Sequence, residues 1–120
     1  MPQKEPIFSE AQIAERLREL PGWFYEDGWI RRVYKTDGWA TTLMLVTAIG
    51  YIAEAAYHHP DLAVTWARVV VKLMTHSAGG ITDKDFAVAR RIEEVVLWRP
   101  PFGGPLTGPP GKFVRSGDPR

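Results

Sequence analysis

Hydrophobic and polar positions alternate along this chain with two different periods, and the changes of period mark its elements. Ser9 followed by Gln12 has the form of a capping box, and Ile13, Leu17 and Leu20 recur at helical spacing until Pro21-Gly22 stops them. A first helix is predicted from about Ser9 to Leu20. Trp23-Phe24-Tyr25, the turn pair Asp27-Gly28 and then Trp29 to Tyr34 are aromatic and β-branched on both sides of a hairpin signal. Asp37 is expected to cap a second helix with two apolar seams. One holds Trp39, Leu43, Val46, Gly50, Ala53 and Tyr57, and the other Leu45, Ile49, Ile52 and Ala56. Pro60 disfavours helical geometry at His59, so the helix should end there. Val64-Thr65-Trp66 and Arg68 to Thr75 read as a second strand pair, with Val69, Val71 and Leu73 on the more deeply buried face. Gly79-Gly80 breaks this pattern, and Thr82 with Asp85 forms another capping box opening a third helix through Phe86, Ala89, Ile92, Val96 and Leu97.

The predicted order is α-β-β-α-β-β-α. Two seams on helix two need two partners; the sheet supplies one, and the surplus apolar face points to a second subunit. After Leu97 the composition changes, because 11 of the last 23 residues are Pro or Gly. The chain therefore divides into a domain over residues 1–97 and a Pro/Gly-rich extension over residues 98–120, expected to be extended. Arg99, Lys112, Arg115 and Arg120 against Asp118 give that extension a charge of +3.

A length of 120 residues fits one domain, and 45% hydrophobic with 24% charged residues is the balance of a folded globular chain. A formal charge of +1 lacks the concentrated positive charge of a phosphate-backbone binder, so no nucleic-acid partner is expected. The apolar stretch from Leu43 to Tyr57 is interrupted by Thr47 and Glu54 and is short of a bilayer span, so no membrane association is expected. Nothing at the N-terminus has the form of a secretory leader, which makes the cytoplasm the default location. With no cysteine, thiolate metal sites and thiol nucleophiles are excluded, and chemistry falls to His and carboxylates.

All three histidines, His58, His59 and His76, fall within 19 residues. Imidazoles titrate near neutrality, so such a group suits proton transfer without a cofactor. Glu54 lies four residues before His58, one helical turn away, and is placed to orient its imidazole. Taken singly, each feature has a structural explanation. The His-His pair can sit at a helix end, Asp85 completes a cap, Trp66 is an ordinary strand aromatic and Gly79-Gly80 is a turn. No His-x-x-x-His spacing supports a metal site, and no metal is expected.

Together the positions are more specific. Glu54, His58-His59-Pro60, Trp66, His76 and Asp85, with Thr75 to Asp85 between and Leu20-Pro21-Gly22-Trp23 upstream, resemble the signature of the pterin-4a-carbinolamine dehydratase family over roughly Ile7 to Val96. The resemblance implies a single-domain α+β fold, a four-stranded antiparallel sheet with helices packed on one face. It implies a homodimer or homotetramer, and dehydration of 4a-hydroxytetrahydropterin (4a-hydroxytetrahydrobiopterin) to quinonoid dihydropterin with neither metal nor organic cofactor. His58, His59 and His76 would then be catalytic, with His58 and His76 moving protons and His59 holding substrate. Glu54, Trp66 and Asp85 would orient the histidines or wall the pterin pocket. A second reading stays open: a binding or assembly factor on the same scaffold, with the extension or the helix face engaging a protein partner, as vertebrate members that help a transcription factor dimerise illustrate. Fold alone does not separate the two.

Overall fold

The computed structural model describes residues 6–115. Asp118 and Arg120, counted above in the charge of the extension, lie outside that range. The elements are α1 (Glu10–Leu17), β1 (Trp23–Glu26), β2 (Trp29–Thr36), α2 (Trp39–Ala56), β3 (Asp61–Thr65), β4 (Arg68–Leu73), α3 (Asp83–Val96) and β5 (Val114–Arg115). The sheet is antiparallel throughout, in the order β1-β2-β4-β3. Its first seven elements follow the predicted order. The strand count does not: β5 makes a fifth strand by pairing with the end of β2, Lys35 opposite Arg115 and Thr36 opposite Val114.

One face of the sheet, carrying Trp23, Ile30, Tyr34, Val69, Val71 and Leu73, is buried against Ile49 and Ile52 of α2 and Phe86, Ala89 and Ile92 of α3. Arg32 belongs to the same face and is also buried. Its Nε donates to Oε1 of Glu93 at 2.6 Å, and that oxygen also accepts from the Tyr34 hydroxyl at 2.6 Å and Trp23 Nε1 at 3.0 Å. The buried guanidinium thus keeps a charge partner, which its desolvation demands. It also explains the glycine at position 22: a Cβ on Gly22, whose φ is +92°, would meet Arg32 at 2.6 Å.

Two local expectations change. Gly38, not Asp37, is the N-cap of α2, where Thr36 and Thr42 hydroxyls bind the Gly38 backbone. The Asp37 carboxylate instead accepts the backbone N–H of Phe113 at 3.3 Å and so holds the returning extension. At the other hairpin, β3 begins directly after Pro60, and Trp66 with Ala67 forms its turn, not its strand.

Of the two seams on α2, Leu45, Ile49 and Ile52 are in the core while Trp39, Leu43 and Tyr57 are exposed. By length and composition alone α2 could cross a membrane, with a mean hydropathy of 1.3, but its inner seam is committed to the sheet and α3. Its outer side and α3 together form an open apolar groove of about 760 Å³ that includes Ala48, Tyr51, Ala55, Val88 and Val95.

Candidate active site

The C-terminus of α2 delivers two of the three histidines. Tyr57 takes the left-handed conformation at φ 53°, ψ 45°, with its N–H donating to Glu54 O while His58 N–H donates to Ala53 O. These paired bonds are those of a Schellman ending, usually built on glycine, and a tyrosine there carries a strain of order 1 kcal/mol. The reversal takes His58 and His59 out of the helix. Helical spacing from Glu54 therefore no longer applies to His58, and the expected pairing is corrected: Glu54 Oε1 lies 2.7 Å from His59 Nε2, in an exposed pair.

His58 is paired with Asp85 instead. Its Nε2 is 2.7 Å from Asp85 Oδ1, and the Asp85 side chain has no solvent exposure. Oδ2 of the same carboxylate accepts from the Thr82 N–H at 2.9 Å and from the Thr75 hydroxyl at 2.8 Å. An ionised carboxylate can only accept, so with Asp85 ionised the proton of this contact is on His58 Nε2 and Nδ1 is the ring nitrogen left with a lone pair when the imidazole is neutral. Asp85 is thus both the N3 residue of the α3 capping box and the anchor of an imidazole; the sequence motif exposes only the first task.

His76 follows β4, in the turn closed by Thr75 and Gly80. Its ring stands edge-on to Trp29, centroids 5.5 Å apart. A cavity of about 360 Å³ is lined by all three histidines together with Tyr57, Thr75, Ser77 and Lys84. Glu54 and Asp85 stand behind it, on His59 and His58. Trp66 is not brought there by its own chain. It sits at the far end of β3, roughly 15 Å along the strand, 67% exposed and beside Gly38. Sequence reasoning missed Tyr57, Trp29 and Lys84; the only signal was that an exposed tyrosine precedes the His pair and a tryptophan follows Asp27-Gly28. Among the described residues no group of three His, Asp or Glu side chains is arranged to hold a metal ion.

Known proteins share this arrangement of sequence. The family model described as pterin 4 alpha carbinolamine dehydratase matches residues 6–95. The chain belongs to the pterin-4a-carbinolamine dehydratase family. It is 44% identical over 88 residues to a provisionally named pterin-4-alpha-carbinolamine dehydratase of Aquifex aeolicus (strain VF5), covering 73% of this chain and 89% of the relative. A protein of the same provisional name from Chloroflexus aurantiacus is 43% identical over 91 residues, covering 76% and 98%. Among solved structures, one described as a transcriptional coactivator/pterin dehydratase from Brucella melitensis superposes with a TM-score of 0.69 at 32% identity, covering 73% of this chain and 96% of the other. The pterin-4a-carbinolamine dehydratase match ends before Trp98, so β5 and the segment leading to it are an addition to the matched region.

Proposed function

We propose that this protein is a cytoplasmic hydro-lyase that dehydrates 4a-hydroxytetrahydropterin to quinonoid dihydropterin by histidine acid/base chemistry, without a cofactor. The observation that carries this reading is a cavity lined by His58, His59 and His76 in which His58 is anchored by the buried Asp85. In the reaction the C4a–O bond breaks with its electron pair on oxygen, and an acid protonates the departing hydroxyl to water. The adjacent ring N–H loses its proton to a base as the carbon–nitrogen double bond forms. His58, with a fixed ring, suits the base, and the exposed His76 suits the acid; His59, braced by Glu54, holds the substrate. Tyr57 at the rim offers an aromatic wall for the flat heterocycle. Trp66 takes no part within one chain. A second copy seated on the apolar groove of α2 and α3 would give the homodimer, or in pairs the homotetramer, that covers this face.

Chemically generated carbinolamine is the test. Wild-type protein should speed its dehydration and His76→Ala should remove most of the gain; a wild-type rate equal to background defeats the proposal.

The description of the Brucella melitensis structure as a coactivator, with the open groove here, favours one alternative: a binding or assembly factor whose histidines are dispensable. It predicts a stable protein partner that survives triple substitution of His58, His59 and His76 and is lost when residues after Leu97 are deleted.

A further inference from the structure

The net charge of +1 conceals a segregation that only the strand register reveals. On the face of the sheet turned away from the helices, register places, among the described strand residues, Arg31, Lys35, Arg68, Lys72 and Arg115 against the acids Glu26 and Asp61. Lys35 sits directly across from Arg68 on one side and Arg115 on the other, which gathers three cationic side chains in one row across the sheet. Glu26 is 4.0 Å from Arg31. Asp61 occupies the position opposite Lys72.

This positive face touches the candidate site at one point. The Lys72 ammonium lies 4.5 Å from the centroid of Trp29, whose ring in turn meets His76. The cavity itself carries a further cation, Lys84, and at about 360 Å³ is at the low end of drug-sized ligand pockets, larger than a two-ring heterocycle needs. Both acids closest to its histidines, Glu54 and Asp85, already accept from His59 and His58.

We propose that the pterin taken by this site carries an anionic substituent, phosphate or carboxylate, which leaves the cavity over Trp29 and is met by Lys72 at the edge of the cationic face. The inference rests on the pterin reading above and adds the substrate's charge to it. Lys72 and Trp29 thereby become specificity residues: Trp29 floors the exit and holds the ammonium over its ring. Positive potential on the open face attracts the charged substrate and discriminates against a neutral one.

Equilibrium binding separates this inference from the catalytic one, because it needs no turnover. The probes are 6-hydroxymethyl-7,8-dihydropterin, its diphosphate ester, and 7,8-dihydrofolate, titrated by tryptophan fluorescence at low and high salt. The diphosphate, the folate or both should bind more tightly than the neutral pterin. Lys72→Gln should cut the anionic-to-neutral affinity ratio about fivefold, and Lys72→Arg should keep it. A gain for the diphosphate alone identifies a phosphate substituent, and a gain for dihydrofolate alone a carboxylate. A wild-type ratio near one, or a ratio unmoved by Lys72→Gln, overturns the proposal. Background-level dehydration with a Lys72-dependent ratio sinks the catalytic reading and leaves this one standing; dehydration with an unmoved ratio does the reverse.

Discussion

His58 Nε2 and Asp85 Oδ1 are 2.7 Å apart, and they join the end of α2 to the start of α3 through a carboxylate sealed from solvent. One oxygen of Asp85 serves catalysis in the proposed reaction and the other serves folding. Asp85→Asn separates those tasks. The Asn carbonyl can still accept from Thr82 N–H, while its NH2 group, facing His58, forces the opposite tautomer. Activity on the carbinolamine should drop about 100-fold or more, with a smaller loss of Tm than Asp85→Ala produces. Equal losses of activity and Tm in both variants would show that Asp85 acts only as a cap.

The Glu54–His59 pair should behave differently, because both side chains are more than half exposed. Surface ion pairs contribute about 0–1 kcal/mol, so Glu54→Gln should leave the urea midpoint nearly unchanged. Its effect belongs in KM, since His59 is assigned to holding the substrate. A large fall in kcat at constant KM would instead move Glu54 into proton transfer.

Tyr34 gives a prediction in alkali. Burial first, and then the neighbouring Glu93 charge and hydrogen bond, push its phenol well above the ordinary value, against a smaller opposing effect of Arg32. The folded protein therefore keeps a proton that the unfolded chain releases near pH 10, so the stabilisation is complete below that pH and is lost progressively as pH climbs above it towards the raised folded value. Tyr34 should ionise only on unfolding, giving a step in tyrosinate absorbance that coincides with loss of structure. Tyr34 ionising while the protein is still folded would contradict the buried cluster.

Val114, 5% exposed, carries the last strand into the core. Val114→Asp should cost about 3 kcal/mol or more, the penalty of an unpaired buried carboxylate, whereas Leu106→Ser on the exposed part of the same segment should stay within about 0.5 kcal/mol. Urea denaturation of both variants checks this. A harmless Val114→Asp would mean that β5 is not part of the folded domain.

Local chemistry was legible wherever partners are close in sequence. The Ser9 and Thr82 capping boxes formed, the Asp27-Gly28 hairpin formed, and the alternation of Val69, Val71 and Leu73 gave the buried face of β4. The closeness of His58, His59 and His76 along the chain was also readable, but that both segments line one cavity depends on how β3 and β4 bring the chain back past the end of α2. What sequence could not decide were contacts made across long separations. Asp37 had two possible uses, a helix cap or the Phe113 N–H 76 residues away, and only the path of the returning chain chose between them. Glu54 was assigned to His58 by helical spacing, but the left-handed Tyr57 ended the helix one residue too soon for that rule. The fifth strand, hidden in a Pro/Gly-rich segment, forms because β2 offers an unpaired edge beyond β1, not because Val114-Arg115 has any strand signal of its own. Periodicity and caps fix which residues turn inward within an element; register and chain path fix which distant side chains meet. The charge of the open face, like the partner of His58, belongs to the second kind.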